Sequence, residues 1–181
     1  MANAKLGTKA VGSIVKIKVN GAAKDFIIVH QGLPSSAYDA SCNGVWVVMK
    51  DIYTTMKWDG SNNDYLNSDM TAYLNGTFIS LIDADIRNAI KQVKIPYTNY
   101  SNNNVMSGSN GLSCKNTEGA KLSYFDSASK RVAYNGSSAA GWWLRSPRAS
   151  SGYYVWYVES DGSNDYWDYR DTYGVRPAFV L

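Results

Sequence analysis

The sequence predicts one α+β domain, residues 1–181, built from antiparallel strands with two short helices. Two observations lead to this prediction. Runs with strand-like alternation or continuous apolar character lie towards both ends of the chain and are separated by turn residues. Only two stretches, both near the middle, place apolar residues at helical spacing. A chain of this length can bury a sizeable core as one unit.

The N-terminal part predicts three strands. Residues 14–19 alternate between lysine and aliphatic side chains, which is typical of a half-buried strand. Asn20-Gly21 is a favoured hairpin pair, and residues 25–30 return as the second strand. The continuous apolar run at residues 45–49 then indicates a buried strand.

Two short helices follow in the prediction. Ser68 is expected to cap the first helix and Gly76 to end it. Asp83 is expected to cap the second, which Pro96 prevents from continuing. The apolar residues that share a face are Met70, Tyr73 and Leu74 in the first helix and Ile86, Ala89, Ile90 and Val93 in the second.

The stretch between the helices and the C-terminal region is the least regular. Residues 97–111 are rich in Asn, Ser and Gly and have no apolar period, so a long surface loop is expected. A short strand is predicted at residues 130–134, and residues 135–140 are interpreted as a flexible link.

The last forty residues organise the rest of the chain. The apolar segments 142–147 and 173–181 enclose two runs rich in Tyr, Trp, Ser, Asn, Asp and Arg. These runs, residues 148–154 and 163–171, are interpreted as recognition loops on either side of a short strand at 155–158. Antibody loops use a similar set of residues, because Tyr and Trp supply stiff contact area and Ser and Asn adapt their hydrogen bonds.

Aromatic side chains in these loops could instead belong to the core. Charged residues interrupt the aromatic ones throughout 166–171 and leave no period for a buried face, which favours recognition. Arg148 and Arg170 would donate hydrogen bonds to acidic or carbonyl groups of a ligand. The candidate ligand-binding residues are Arg148, Ser150, Ser151, Tyr153, Tyr154, Asn164, Asp165, Tyr166, Trp167, Asp168, Tyr169, Arg170 and Asp171.

The flanking segments receive a structural interpretation. Trp142 and Trp143 lie in an apolar run, so core packing is favoured over ligand contact, with Arg145 tying loops together through hydrogen bonds. Arg176, just before Pro177, is interpreted in the same way. Pro177 inside the last strand favours an edge or a bulge there.

Three ordered motifs carry a resemblance to a known family. They are the sequences Trp-Trp-Leu-Arg-Ser-Pro at 142–147, Tyr-Val-x-Ser-Asp-Gly at 157–162 and Gly-Val-Arg-Pro-Ala at 174–178. Further matches lie upstream, at 11–13, 29–32, 38–42, 64–68, 73–75 and 94–97. The chain resembles a bacterial and phage domain family with a C-type-lectin-type fold. That family is similar to the variable proteins of diversity-generating retroelements and to phage-tail-associated proteins.

The resemblance has consequences for fold and variation. In the lectin-type fold the terminal strands pair, so residues 175–180 are expected beside residues 14–19. Relatives usually carry an extra apolar segment after the position of Cys114, which this chain lacks. Retroelement mutagenesis of Asn codons yields Tyr, Asp, Ser, Arg and Gly but cannot yield Trp or Glu. Most candidate residues are therefore of types that this mutagenesis can yield, whereas Trp156, Glu159 and Trp167 are not.

The sequence gives little indication of catalysis. The single histidine, His30, is interpreted as a hydrogen-bonded structural residue, and no nucleophile motif accompanies it. Cys42 and Cys114 could form a disulfide or remain thiols. The calcium-binding triplets of true C-type lectins do not occur, so no metal and no cofactor are expected. A sulfatase-maturing type of enzyme is the weakest alternative.

The leading hypothesis is a non-enzymatic display protein that binds a bacterial surface protein or glycan. It would be associated with a phage tail or another exterior surface and so meet other tail or virion proteins. The alternative is a structural tail protein whose aromatic loops contact a neighbouring subunit, as in a homo-oligomer. The modest net charge of +3 does not indicate nucleic-acid binding, and neither membrane insertion nor a signal peptide is expected. Synthesis in a bacterial cytoplasm is expected.

Overall fold

Two sheets with mostly antiparallel strands form the framework of the described domain. The computed structural model describes residues 6–36, 38–93, 122–148 and 151–181. The strands of the first sheet, in spatial order, are β1 (Ile14–Val19), β2 (Ala22–Gly32), β3 (Gly44–Met49) and β11 (Ala178–Val180). Those of the second are β4 (Thr54–Lys57), β10 (Thr172–Val175), β7 (Trp142–Pro147), β8 (Tyr154–Val158) and β9 (Asn164–Asp168). Apart from β7 beside β10, the pairings in these two sheets are antiparallel.

The first hairpin forms where the sequence predicts it. Val15, Ile17 and Val19 of β1 are buried, whereas Ile14 and the two lysines on the other face are exposed, so the alternation sets which face meets the core. Asn20 and Gly21 both have positive φ, 49° and 75°, as a two-residue turn of this kind requires. The predicted strand at 45–49 is also confirmed as β3.

The expected pairing of the terminal strands is wrong. The C-terminal strand β11 pairs with β3, with Phe179 opposite Val47, whereas β1 pairs with β2. The continuous apolar run of β3 needs a partner on both sides, and β2 fills only one. Pro177 has no N–H and interrupts the predicted last strand, which divides into β10 and β11. Its carbonyl still accepts a hydrogen bond from the Met49 N–H at 2.8 Å.

Two short helices give the α component. The first, α1 (Asp69–Ala72), continues as the π-helical turn Tyr73–Phe78, and the second is α2 (Ala84–Arg87). The Ser68 hydroxyl caps α1 by accepting the Thr71 N–H at 3.1 Å, as predicted. Two details of the prediction are wrong: Gly76 lies inside the helical segment, and α2 is shorter than expected.

The core has three layers of apolar contact. Phe78 of the helical segment and Ile82, which follows it, pack on one face of the first sheet. Its other face meets the second sheet through residues that include Trp46, Trp142 and Leu144. The far face of the second sheet packs against Trp58 and against Met70 of α1. Trp142 and Trp143 therefore belong to the core, as predicted.

The segment before β7 differs from the prediction. Ala128–Lys130 forms a 3-10 helix where the beginning of a strand was expected. The expected flexible link is a two-stranded hairpin of β5 (Tyr134–Asn135) and β6 (Ser138–Ala139), which turns at Gly136. The predicted loop 97–111, Cys114 and Pro96 lie outside the described residues. No helix in the described ranges is long and apolar enough to cross a membrane.

Candidate ligand-binding surface

The two candidate stretches meet on a hairpin at the edge of the second sheet. β8 and β9 pair from Tyr154 opposite Asp168 to Val158 opposite Asn164. β9 is the last strand of its sheet, so within the described chain its outer side has no strand partner. The prediction of a loop over 163–171 is therefore wrong, because most of this run is an edge strand. Both faces of this strand are partly exposed to solvent. Its sequence therefore lacks the alternation of apolar and polar residues that would identify a strand.

A tight turn anchors the tip of this hairpin. The Ser163 N–H donates to the Asp161 carboxylate at 2.8 Å, and the Gly162 N–H donates to the Glu159 carbonyl. Gly162 has a φ of +85°, and a Cβ there would lie 1.9 Å from the carbonyl oxygen of Ala128. Arg131 Nε donates to the Gly162 carbonyl at 2.8 Å. The turn is thus held against the rest of the domain.

One face of the hairpin carries a cross-strand aromatic cluster. The ring of Tyr166 lies 5.4 Å from the ring of Tyr154 and 5.4 Å from that of Trp156. The guanidinium of Arg148 stacks on Tyr166 at 3.9 Å from the ring centroid. These contacts hold the rings in place before any ligand arrives, which lowers the entropy lost on binding.

The other face and the following turn expose further rings. Trp167 is 47% exposed and Tyr153 is 59% exposed. Arg170 Nε donates to Asp168 at 2.8 Å, and this hydrogen bond holds the pKa of the Asp168 carboxyl below its usual range. The same guanidinium lies 5.9 Å from the Tyr153 ring. Aromatic faces and a fixed ion pair therefore share one solvent-facing surface.

Tyr169 does not belong to this surface. The interpretation of Tyr169 as a contact residue is wrong, because its side chain is 5% exposed and packs in the core beside Trp58. Its hydroxyl donates to the Ser61 carbonyl at 2.8 Å. The chain leaves the edge strand at this point, so the ring turns inward although charged residues flank it in the sequence.

A buried polar loop supports the surface from below. Asn63 is buried, and its side-chain amide donates to the carbonyls of Ser151, at 2.7 Å, and Tyr154, at 3.2 Å. Trp58 and Asp59 both donate their N–H groups to the Tyr169 carbonyl. The loop containing Asp59 and Asn63 thus fixes both strands of the hairpin at its base. Its sequence indicates only a polar turn, and nothing local reveals these distant partners.

Asp59 organises that loop. Its carboxylate accepts backbone N–H groups from Ser61 at 2.6 Å, Asn62 at 2.8 Å and Asp69 at 2.9 Å. Burial opposes ionisation of this carboxyl, but the three N–H donors together hold its pKa below the usual value. Asp59 is therefore a positioning residue for the surface.

The remaining candidates occupy less prominent places. Ser151 is half-buried, and its hydroxyl accepts the Tyr153 N–H at 3.2 Å. Asn164 is half-buried, whereas Asp165 and Asp171 are exposed. Asp165 accepts the N–H of Tyr166, which occupies one backbone donor of the edge strand. Ser150 lies outside the described residues.

A second cavity lies elsewhere in the domain. It has a volume of about 200 Å³ and lies between the helical segment and β11. Tyr65, Lys91 and the buried side chain of Arg145 are among its lining residues. No candidate contact residue lines it, so it forms no part of the hairpin surface.

The described residues offer few groups for catalysis. The Nδ1 atom of His30 accepts the Ser123 N–H at 3.3 Å and contacts the Ser123 hydroxyl, and burial lowers the pKa of the imidazole. This agrees with the structural interpretation of His30. Burial raises the pKa of the Cys42 thiol, which disfavours a nucleophilic thiolate. Among the described residues, no group of three or more His, Cys, Asp or Glu side chains could hold a metal ion.

Comparison with known sequences places the chain in a family. The model of a domain of unknown function, DUF6273, matches residues 43–181. The chain belongs to this family. The matched region contains β3 to β11 and therefore the whole hairpin surface together with the loop that supports it. No curated protein and no solved structure matches the chain.

Proposed function

We propose that the protein is a non-enzymatic binding module whose ligand contacts the β8–β9 hairpin surface. One observation carries this proposal: Tyr153, Tyr154 and Trp167, which are 59%, 38% and 47% exposed, lie together on a hairpin that the domain braces at both ends. Exposed aromatic rings in such density reduce solubility unless they serve recognition. A few such anchors supply most of the affinity at many interfaces.

The surface suits a bacterial surface protein or glycan. Aromatic faces can stack on sugar rings or pack against protein side chains. The Asp168–Arg170 pair adds fixed hydrogen-bonding groups beside those faces. Because Arg148 already orders the Tyr166 ring, the module binds with little rearrangement of its own.

The setting of the module forms part of the proposal. We infer a C-type-lectin-type fold from the three ordered C-terminal motifs, and the mixed α+β architecture is compatible with that fold. Display on a phage tail or a comparable exterior surface, and diversification by a retroelement, rest on the same resemblance. A matching template repeat beside the gene would support the last point.

A second function, assembly with a neighbouring subunit, is favoured by the open edge of β9. An unpaired edge strand is a template for adding a strand from another chain. Self-association that disappears when the hairpin aromatics are changed would support this role. A chain that stays monomeric at high concentration would favour the binding module.

The experiment is a binding screen against whole bacterial surfaces and a glycan array. The wild type is compared with a variant in which Tyr153, Tyr154 and Trp167 are changed to Ser. Tyr134, which is 45% exposed on the separate β5–β6 hairpin, provides the matched control as Tyr134→Ser. We expect binding to be lost in the triple variant and kept in the control. Equal binding by all three proteins would contradict the proposal.

A further inference from the structure

An open groove along the outer edge of β9 has a distinctive lining. Three aromatic residues and two carboxylates line it, and no lysine or arginine does. These residues are Tyr154, Tyr166, Trp167, Asp168 and Asp171. Tyr154, Tyr166 and Asp168 come from one face of the β8–β9 pair, whereas Trp167 comes from the other. The groove therefore lies where side chains from both faces can reach the same space.

The charges around the groove do not cancel. Asp168 is paired with Arg170, and the guanidinium of Arg148 covers one face of Tyr166. Within the part of the chain that the structure describes, Asp171 has no ion pair. The exposed Asp165 of β9 also has none there, so these two carboxylates outnumber the one remaining guanidinium, that of Arg148, and leave a net negative charge beside the rings.

The combination of aromatic rings and carboxylates attracts organic cations. The face of an aromatic ring is the negative end of its quadrupole and binds ammonium and guanidinium groups. The hairpin already shows this preference, since Arg148 lies 3.9 Å from the Tyr166 centroid and Arg170 lies 5.9 Å from that of Tyr153. An anion would be repelled by the carboxylates, and a neutral apolar group would desolvate them without compensation.

We propose that this groove binds an alkylammonium group presented by the ligand. The inference rests on the proposed function and specifies the chemistry that the hairpin surface recognises. Trp167 and Tyr154 supply ring faces, and Asp171 supplies the compensating charge. A quaternary ammonium headgroup and a lysine side chain share this chemistry, and small probes separate the two sources.

The test is a titration followed through the indole N–H signals of ¹⁵N-labelled protein. The Trp167→Phe variant identifies the signal of Trp167. The probes are choline, N-acetyl-lysine methylamide and 3,3-dimethyl-1-butanol, an uncharged analogue of choline with the same shape. We expect one or both cations to shift the Trp167 signal saturably and the uncharged analogue to leave it unmoved. The cation that shifts it at the lower concentration identifies the source.

Two carboxylate variants complete the test. Asp171→Asn removes charge from the groove and should raise the Kd of the cation at least about threefold. Asp85→Asn removes an exposed carboxylate of α2 that does not line the groove and should leave the Kd unchanged. An equal response to the uncharged analogue, equal effects of both variants, or no response to either cation would overturn the inference.

The result of the cation titration can be interpreted separately from the result of the surface-binding screen. If the triple variant loses surface binding while no cation binds the wild type, the groove inference fails and the binding module stands. If cations shift Trp167 but no bacterial surface or glycan is bound, the proposed function fails and the cation site stands.

Discussion

The buried tryptophans of this domain donate hydrogen bonds within the protein, whereas the exposed aromatic residues on the β8–β9 hairpin present their rings to solvent. In the core, the indole N–H of Trp58 donates to the Leu144 carbonyl, that of Trp142 to Arg131 and that of Trp143 to Met56, at 2.9 to 3.1 Å. The bonds of Trp58 and Trp143 join segments 86 and 87 positions apart in the sequence. On the hairpin, Trp167 and Tyr153 instead turn their rings to solvent.

The difference shows which aromatic residues the fold depends on. A buried indole with a carbonyl partner contributes both apolar burial and a satisfied hydrogen bond, so its loss leaves a cavity and an unpaired carbonyl. An exposed ring contributes little to the free energy of unfolding. The exposed group therefore remains open to a role in binding.

The largest expected effect comes from truncating a core tryptophan. Trp58→Ala should lower the free energy of unfolding by about 3–5 kcal/mol, because a fully buried indole is removed. Trp167→Ala should change the same quantity by no more than about 0.5 kcal/mol. Urea unfolding of the two variants measures both values. Similar losses in the two proteins would remove the distinction between the groups.

Replacing the turn glycine tests whether the hairpin is held against the domain. Gly162→Ala should cost about 2–3 kcal/mol, because its φ is positive and its Cβ would meet the Ala128 carbonyl. Gly152→Ala is the matched control, since a Cβ there meets nothing within 4 Å. Thermal unfolding should separate the two variants clearly. An unaffected Gly162→Ala protein would mean that the turn is free to move.

Removing one hydroxyl tests the corrected position of Tyr169. Tyr169→Phe should lower the free energy of unfolding by about 1 kcal/mol, because the hydrogen bond to the Ser61 carbonyl is lost inside the protein. Tyr153→Phe, on the exposed surface, should leave it unchanged. Equal free energies of unfolding for the two variants would indicate that the Tyr169 hydroxyl is exposed and would contradict its assignment to the core.

The smallest effect concerns pH. The folded protein holds the pKa of Asp59 below its unfolded value, so the stabilisation is complete above about pH 4 and is lost as the pH falls through the folded pKa. Asp59→Asn lacks this titration. We expect the wild type to lose more stability than Asp59→Asn between about pH 5 and about pH 2. Parallel losses in the two proteins would contradict the assigned role.

Local patterns were sufficient for the parts of the fold that depend on neighbouring residues. The alternation of β1, the Asn20-Gly21 turn and the Ser68 cap each involve residues within a few positions of one another. Their physical causes can therefore be seen in a short stretch of sequence. The apolar character of Trp142–Pro147 similarly predicted its burial.

Long-range pairing could not be predicted in this way. Nothing within 178–180 indicates that its partner is β3 instead of β1, because the choice depends on which sheet edge is open after β2 has formed. The edge strand β9 was predicted as a loop for a related reason. It has polar residues on both faces, and only its position beside β8 makes it a strand.

The candidate surface was predicted in outline and incompletely in detail. Tyr153, Tyr154 and Trp167 are exposed as the mixed composition suggested, whereas Tyr169 is buried through contacts more than a hundred positions away, at Ser61. Asp59 and Asn63 were missed as supports, because their partners at 151–154 and 169 lie 88 or more positions away in the sequence.

The most direct test of the account measures folding and binding on one protein. The variant with Tyr153, Tyr154 and Trp167 changed to Ser is unfolded in urea and, in parallel, assayed against the bacterial surface that the wild type binds. We predict a free energy of unfolding within about 1 kcal/mol of wild type, together with lost binding. A fall of more than about 3 kcal/mol would show that these rings belong to the scaffold and would contradict the account.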